Sequence, residues 1–310
     1  MRSWPPPNEM PTTPLVVPSQ PPDRSSPSRI AHRYEIKEQI ARGGMGVVYR
    51  VLDRSTGEER ALKRVRIENV ARRALYTRAF EREYQVLASL DHPRIIRVYE
   101  YGVDDEGPYY TMELVRGRDL STVVPLPWRD VCLKLRDVAT SLSLLHARRL
   151  LHRDLSPGNV KLAADGHAKL LDFGALCDFG LTSWIVGTPP LLPPEALRGD
   201  ALDQRADLYS LGALAYWSLT GEHAFPAERF DDLPRFWERS ARPPSSLVPD
   251  LPKALDALVL SLLSADPLAR PSSAAEVIAR LNAIGQPTLE DAGERRRLAQ
   301  SFLIVPPFVG

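Results

Sequence analysis

Hydrophobic and polar residues alternate in short runs through the first third of the chain, a pattern typical of half-buried β-strands. These runs lie between Tyr34 and about Val115 and are separated by Gly or Asp turns. They read YEIKEQI, GVVYRVLD, RALKRVRI, RIIRVYEYG and YYTMELV. Short strands joined by tight turns pair most readily in antiparallel fashion. The pattern therefore predicts a mostly antiparallel sheet.

One segment inside this region follows a different period. From Val70 to Leu90, the apolar residues Phe80, Tyr84 and Leu87 recur three or four positions apart among charged residues. That spacing is typical of one face of an amphipathic helix. We expect this helix to pack on the sheet.

After Gly117 the pattern becomes helical. The clearest runs are PWRDVCLKLRDVATSLSLLHARR, DLYSLGALAYWSLTG, LPKALDALVLSLLS and SSAAEVIARLNAI. We therefore predict an α+β fold class, in which a small antiparallel β lobe at residues 33–115 precedes a larger, mainly helical lobe at residues 116–285.

The two ends of the chain differ in composition from these lobes. Residues 1–32 are dense in proline (WPPP, MPTTP, VPSQPP, SSPS) and can bury little apolar surface, which predicts a disordered leader. A docking site for a proline-recognising partner is the alternative for this leader. Residues 286–310 begin polar and end in SFLIVPPFVG, and we interpret them as a tail or linker that has been truncated.

Composition and charge narrow the classes of function. The 310 residues are 44% hydrophobic, enough for a substantial core. Lys+Arg 40 and Asp+Glu 39 leave a net charge of +1. A nearly neutral chain has no strong global field for nucleic acid or an anionic membrane, so neither is an expected partner.

Cysteine content and targeting signals also narrow the class of protein. Cys132 and Cys177 are the two cysteines and form no CxxC pair, which argues against a zinc site and a disulfide scaffold. The start of the chain lacks a basic stretch followed by an apolar one, and no run approaches the ~18 apolar residues of a membrane helix. We expect a cytoplasmic protein.

A glycine cluster lies between the first two predicted strands. It begins at Ala41 and contains Gly43, Gly44 and Gly46. Glycines allow backbone N–H groups to approach phosphate oxygens closely. The first glycine of the phosphate-binding pattern GxGxxGxV is replaced by Ala41, so an ordinary hairpin is the alternative.

A lysine and a glutamate follow the glycine cluster in a suggestive order. Lys63 lies on a predicted strand, and Glu83 lies on the predicted helix 20 positions later. A lysine binds phosphate as a point charge when a carboxylate fixes its position. The alternative is that both are solvated surface charges, which are abundant in this chain.

The most specific motif of the chain is LLHRDLSPGN followed by KLLDFG. Asp154, Asn159 and Asp172 occupy the Asp, Asn and Asp positions of HRDxxxxN and DFG, so the chain resembles the protein kinase family. Phosphoryl transfer needs a carboxylate to orient the incoming hydroxyl and accept its proton, which fits Asp154. It also needs oxygen ligands for Mg²⁺, which fits Asn159 and Asp172.

The DFG triplet occurs twice, at residues 172–174 and 178–180. Asp172 lies 18 positions after Asp154 and follows the strand-like KLL, so the spacing favours Asp172 as the metal ligand. A metal role for Asp178 stays open at this point.

The resemblance extends from Tyr34 to about Ile284, and the GGMGVVY loop is most similar to bacterial Ser/Thr kinases. GTPPLLPPEAL resembles the segment GTPxYxAPE, with Thr188 where Ser/Thr kinases place a threonine and Glu195 at its end. Asp207 resembles the aspartate that anchors the catalytic loop, and Arg270 resembles the arginine that pairs with that glutamate. For ATP, the resemblance further implies a set of adenine-binding residues: Val48 and Ala61 over the adenine, Met112 as gatekeeper, and the hinge Glu113 to Val115.

The chain departs from the family at Ser156, where Ser/Thr kinases have the lysine of HRDxKPxN. The missing cation would stabilise charge in the transition state, and one such contact is typically worth about 2.7 to 4 kcal/mol. Retention of Lys63, Asp154, Asn159 and Asp172 favours an active, ATP- and Mg²⁺-dependent Ser/Thr kinase with the nucleotide in a cleft between lobes. A nucleotide-binding pseudokinase with a regulatory or scaffold role is the alternative.

Two further interpretations concern what the chain acts on and what it is joined to. A small-molecule kinase of related fold is disfavoured because the GTPP and PPE segments resemble the surface that receives a peptide substrate. The closing PPFVG resembles the lead-in to ATPase modules that follow some bacterial kinases. By analogy, we expect a fused C-terminal regulatory or ATPase module.

Overall fold

The computed structural model describes residues 29–43, 46–65, 73–182 and 184–285. Within these ranges the chain divides into two compact units, a smaller one of residues 29–91 and 96–116 and a larger one of residues 92–95 and 117–285. The change of unit after Arg116 falls one residue beyond the boundary drawn from the sequence. The predicted proline-rich leader before residue 29 and the predicted tail from residue 286 lie outside the described residues.

The smaller unit is built on a six-stranded antiparallel sheet, as the alternating pattern predicted. Its strand order is β1-β2-β3-β4-β6-β5. The strands are β1 (Arg29–Ile30), β2 (Tyr34–Gly43), β3 (Gly46–Asp53), β4 (Glu58–Val65), β5 (Val98–Asp104) and β6 (Gly107–Met112).

The sheet includes residues that the sequence pattern placed in the leader. Strand β1 pairs with β2, and Ile30 is only 1% exposed. The Arg33 guanidinium donates to both carboxylate oxygens of Asp53 at 2.8 Å, which holds the pKa of this buried aspartate well below its usual range. The sheet of the smaller unit therefore includes residues before the predicted lobe start at residue 33.

Helix α1 (Arg73–Ser89) covers one face of this sheet. Phe80 and Leu87 are buried, and the Phe80 ring lies 4.8 Å from the ring of Tyr110 on β6. The predicted amphipathic helix is thus confirmed. A second apolar cluster lies within the same unit and contains Ile30, Tyr34, Val51, Leu62 and Tyr109.

The larger unit is mainly helical, as predicted. Its helices are α2 (Trp128–Ala147), α3 (Pro194–Arg198), α4 (Gln204–Thr220), α5 (Leu233–Trp237), α6 (Lys253–Leu262) and α7 (Ala274–Gly285). Short strands form two small sheets, β10-β9-β7 and β11-β8. Their bounds are β7 (Gly117–Asp119), β8 (Leu150–Leu151), β9 (Val160–Ala163), β10 (Ala168–Leu170) and β11 (Cys177–Asp178).

Helix α4 forms the centre of the larger unit. Thirteen of its 17 residues are buried, which explains why its sequence is apolar on every side. The side chain of Asp203 caps its start by accepting from the backbone N–H of Arg205. At Gly212 a side chain would collide with Leu262, so glycine allows α4 and α6 to pack closely. Within the described ranges, no helix combines the length and the apolar character needed to cross a membrane.

Candidate active site

The sheet register brings four predicted nucleotide-binding residues onto one face of the smaller unit. Val48 pairs with Lys63 across β3 and β4, and Ala61 pairs with Met112 across β4 and β6. Directly opposed residues in an antiparallel sheet share a face, as do residues two apart on one strand. Ala61, Lys63 and Met112 are buried, and Val48 is half-buried.

Lys63 and Glu83 form a buried ion pair. Lys63 Nζ lies 2.7 Å from Glu83 Oε1, and both residues are less than 10% exposed. The hydroxyl of Tyr110 donates to the same Glu83 oxygen at 3.0 Å. The structure therefore excludes the interpretation of Lys63 and Glu83 as solvated surface charges. A buried, hydrogen-bonded pair holds its ammonium group in one place.

The glycine cluster forms the hairpin end of β2 and β3. Ala41 pairs with Val48, and Gly43 pairs with Gly46, whereas Gly44 lies outside the described residues. At Gly46 a side chain would collide with the carbonyl oxygen of Arg64, so glycine is required there for close packing. Ala41, which replaces the first glycine of the pattern, is exposed on β2.

The predicted hinge begins where β6 ends at Met112. The backbone N–H of Glu113 donates to the Arg97 carbonyl oxygen, and Glu113 Oε1 accepts from the Arg97 N–H, both at 2.9 Å. Glu113 and Val115 are half-buried. These two bonds fix the first hinge residue against the chain that leads into β5.

In the larger unit, Asn159 fixes the orientation of the Asp154 carboxylate. The Asn159 amide nitrogen donates to Asp154 Oδ2 at 3.0 Å and to the Asp154 carbonyl oxygen at 2.9 Å. Asn159 itself is buried at the end of a short 3-10 helix, residues 157–159. The structure thus brings the predicted base and one predicted metal ligand together.

Asp207 on α4 anchors the backbone that leads into Asp154, as the resemblance implied. Its carboxylate accepts from the N–H groups of His152 and Arg153 at 2.9 Å, and it lies 2.9 Å from His146 Nε2. Burial alone would raise the pKa of Asp207, but the hydrogen bond from His146 and the neighbouring groups lower it overall. Asp207 is therefore a carboxylate acceptor inside the core.

His152 is a packing residue beside the loop. Its ring is fully buried and contacts the Phe173 ring edge-on at 4.9 Å. Burial lowers the pKa of His152, so the ring stays neutral near pH 7. Its Nδ1 accepts from the Asp154 N–H at 3.3 Å, which supports the same backbone.

Asp172 lies beside Asn159 in the larger unit. The backbone N–H of Leu171 donates to the Asn159 carbonyl oxygen at 3.0 Å, and Asp172 Oδ1 accepts from the Gly174 N–H at 3.0 Å. Asp178 instead lies exposed on β11, which pairs with β8. The structure therefore connects the first DFG triplet, through Leu171, to the predicted metal ligand Asn159.

The donors near Asp172 fit a magnesium ion. They are carboxylate and amide oxygens, the hard ligands that Mg²⁺ prefers. In the described part of the chain, no group of three or more His, Cys, Asp or Glu side chains could hold a metal ion. Mg²⁺ is commonly bound by one or two carboxylates together with water and substrate phosphates, so Asp172 and Asn159 are a sufficient protein contribution.

Ser156 and Thr188 lie near Asp154. Ser156 is 5% exposed and has extended backbone angles. The Thr188 hydroxyl is buried and has no hydrogen-bond partner among the described residues. The preceding residue, Gly187, packs against the loop: a Cβ there would lie 3.9 Å from Asp154 Oδ1.

The pair implied by the resemblance between Glu195 and Arg270 is present. Arg270 donates to both oxygens of Glu195, at 2.5 and 2.8 Å, and both residues are 4% exposed. The Arg270 guanidinium also lies over the Tyr209 ring at 4.8 Å. This pair ties α3 to the loop before α7 and to α4.

Tyr110 and His146 also support the site, and neither belongs to a motif of the sequence. Tyr110 could have been found, because it lies two positions before Met112 on a strand and so shares its face. His146 lies at the end of an ordinary amphipathic helix, and no local pattern distinguishes it from other helix-terminal polar residues.

The chain is similar to a known protein family. The model of the family described as protein kinase domain matches residues 34–281 of the chain. The match covers most of both units and every site residue described above.

Individual relatives are bacterial. The chain is 34% identical over 273 residues to the serine/threonine-protein kinase PknB of Mycobacterium tuberculosis, covering 83% of this chain and 44% of that protein. It is 33% identical over 305 residues to PknB of Mycolicibacterium smegmatis, covering 91% and 48%. It is 33% identical over 274 residues to the probable serine/threonine-protein kinase PknB of Bifidobacterium longum, covering 81% and 40%. The chain spans less than half the length of these curated relatives.

Proposed function

Because the chain belongs to the protein kinase family, we propose that it transfers the γ-phosphate of ATP to serine or threonine hydroxyls of a protein. The observation that carries the proposal is the fixed orientation of the Asp154 carboxylate, which Asn159 holds by its amide. A chain that only bound nucleotide would have no chemical need for this arrangement.

In the proposed mechanism Asp154 orients the incoming hydroxyl and accepts its proton. Its carboxylate is held by Asn159, and its backbone is supported by His152 and, through His152 and Arg153, by Asp207. Positioning of this kind is the main contribution of the protein to phosphoryl transfer.

The smaller unit supplies the proposed nucleotide contacts. Lys63, held by Glu83, binds phosphate oxygens as a fixed positive charge. Val48, Ala61 and Met112 offer an apolar surface for the adenine, and the backbone of Glu113 to Val115 binds its edge. The loop from Ala41 through Gly43 and Gly44 to Gly46 brings backbone N–H groups to the phosphates.

Asn159 and Asp172 are the proposed ligands of Mg²⁺. When bound, the ion neutralises charge on the nucleotide phosphates and helps to orient them. The contribution of this chain is to hold the two oxygen donors at the ends of adjacent segments, joined by the Leu171–Asn159 hydrogen bond.

Ser156 sets the expected rate. A lysine in its position would add a cation where charge develops, and its loss typically slows transfer about a hundredfold to a thousandfold. We therefore propose a slow kinase rather than an inactive one.

The proposed setting is the cytoplasm, where ATP is abundant, with a protein bearing Ser or Thr as the substrate. The relatives are about twice the length of this chain, and we propose a fused C-terminal module from the resemblance of the closing PPFVG segment. The PPFVG segment from which we infer such a module lies outside the described residues.

The test is transfer of radiolabelled γ-phosphate from ATP with Mg²⁺ to the chain itself and to a generic basic protein, followed by phosphoamino acid analysis. Label on serine or threonine is the expected result. Asp172→Asn and Asp178→Asn form a matched pair, because each removes one charge from a DFG triplet. We expect loss of label in the first and retention in the second.

Two outcomes would count against this proposal. Label on tyrosine alone would contradict the substrate class. Equal loss of label in both aspartate variants would contradict the choice of Asp172 as the sole metal aspartate.

A further inference from the structure

The second DFG triplet, residues 178–180, has no role in the proposed chemistry, yet it is closely held within the larger unit. Cys177 and Asp178 pair with Leu151 and Leu150 on β8. The next residue, Phe179, donates its N–H to the carbonyl oxygen of Arg149 at 3.0 Å. The triplet is therefore hydrogen-bonded to the chain that links α2 to the loop of Asp154.

The triplet is also tied to the segment that precedes α4. Gly180 and Leu202 exchange two backbone hydrogen bonds, at 2.9 and 2.8 Å. Gly180 has φ +127, a conformation that favours glycine. Backbone hydrogen bonds therefore hold the segment at Phe179 and at Gly180, and they fix the direction of the Phe179 side chain.

The Phe179 ring packs against the end of α2. It lies edge-on to the His146 ring, with centroids 6.2 Å apart, and the Arg149 guanidinium lies 5.2 Å from its centroid. The ring also packs, half-buried, against the apolar cluster around Leu151, Leu192 and Leu202. Aromatic contacts of this geometry favour one orientation of the two rings.

His146 is the connection between this ring and the catalytic loop. Its Nε2 lies 2.9 Å from Asp207, whereas its Nδ1 is buried without a hydrogen-bond partner among the described residues. One hydrogen bond leaves an imidazole free to rotate about that bond unless packing opposes it. The Phe179 ring supplies such packing.

We propose that Phe179 is a positioning residue for catalysis. It holds the His146 ring against Asp207, which in turn fixes the N–H groups of His152 and Arg153 immediately before Asp154. The second DFG triplet, residues 178–180, therefore supports the catalytic loop structurally, and we call it the latch. The expected change in kcat rests on the proposed function, whereas the expected change in amide hydrogen exchange does not.

The kinetic test compares Phe179→Ala with Phe236→Ala. Phe236 packs half-buried against the same apolar cluster from α5 and serves as the matched control. We expect Phe179→Ala to lower kcat at least about tenfold, because small displacements of a catalytic group are costly. The KM for ATP should stay within about twofold, since the nucleotide contacts are elsewhere, and Phe179→Tyr should restore kcat by restoring the ring.

The structural test needs no activity. Amide hydrogen exchange at His152 and Arg153 should be faster in Phe179→Ala than in wild type, and unchanged in Phe236→Ala, because only the first loosens Asp207. Wild-type exchange in Phe179→Ala, or equal acceleration in both variants, would overturn the latch. An inactive wild type with the expected exchange pattern would instead contradict the proposed function while leaving the latch intact.

If Phe179→Ala fails to fold, the Phe179→Leu variant tests the same role of the Phe179 ring. Leucine keeps most of the apolar volume against Leu151 and Leu202 but lacks a ring edge for His146. Faster exchange at His152 and Arg153 in this variant supports the proposal. Wild-type exchange together with wild-type kcat would show that apolar volume alone is needed and would overturn it.

Discussion

Single residues decide how fast this site can work, and Ser156 is the residue at which the chain departs from the family pattern. It is buried and lies two positions after Asp154. A cation at position 156 would lie close to the region where transition-state charge develops.

The Ser156→Lys variant should be faster than wild type. We expect kcat to rise by about a hundredfold to a thousandfold, because one well-placed cation is worth about 2.7 to 4 kcal/mol of barrier. Ser156→Ala, which removes the hydroxyl without adding charge, is the control and should leave kcat within about twofold. Thermal unfolding of each variant verifies folding. A folded lysine variant with unchanged kcat would show that another group already supplies this charge.

Site residues could be predicted from the sequence where they follow one another in a set order along the chain. Lys63 and Glu83 were chosen because they follow the glycine cluster in a set order, and they form a buried pair. His146 and Phe179 were missed because their roles depend on a contact between the end of α2 and the segment after β11. No local pattern in the sequence encodes that contact.

At the scale of elements, the Glu195–Arg270 pair joins three parts of the larger unit. Glu195 lies on α3, Arg270 precedes α7, and the guanidinium also donates to the carbonyl oxygens of Ser264 and Arg205. A buried pair with this many hydrogen bonds is satisfied only while both partners are present.

Glu195→Ala should destabilise the chain by about 3–5 kcal/mol, because it leaves the Arg270 charge buried without its partner. Urea unfolding measures the change. Asp200→Ala is the control, since the Arg198–Asp200 pair is half-exposed and should contribute less than about 1 kcal/mol. Equal effects of the two variants would contradict the structural role of the buried pair.

Prediction of elements depended on their length. The long strands β2, β3 and β4 and the helices α1, α2 and α4 have enough residues to show a period, and each was predicted. Strands β1, β8 and β11 have two residues each, too few for any period. Their pairing is set by the segments that lie beside them, so β1 was placed in the leader.

For the whole molecule, buried histidines should make stability depend on pH. His92 is 6% exposed, its Nδ1 accepts from the Arg94 N–H, and burial lowers its pKa to about 4. Burial likewise lowers the pKa of His152 and of His223. Between about pH 6.5 and 4 the unfolded chain therefore binds more protons than the folded one, so stability falls as the pH falls through this window.

His92→Asn should reduce this slope. Asparagine can keep the acceptor for the Arg94 N–H but does not titrate, so the contribution of His92, on the order of 3 kcal/mol over the whole window, is removed. Urea unfolding at pH 7.5, 6, 5 and 4.5 tests this. The free energy of unfolding of the variant should change less between pH 7.5 and 4.5 than that of wild type. An unchanged slope would mean that His92 is not the titrating group.

The most direct test of the whole account compares kcat for phosphate transfer in wild type and Asp154→Asn, with ATP binding measured separately in both. We predict measurable transfer by wild type, a loss of at least about a hundredfold in the variant, and similar ATP affinity in the two proteins. Wild type that binds ATP but transfers phosphate no faster than Asp154→Asn would contradict the account and identify the chain as a nucleotide-binding pseudokinase.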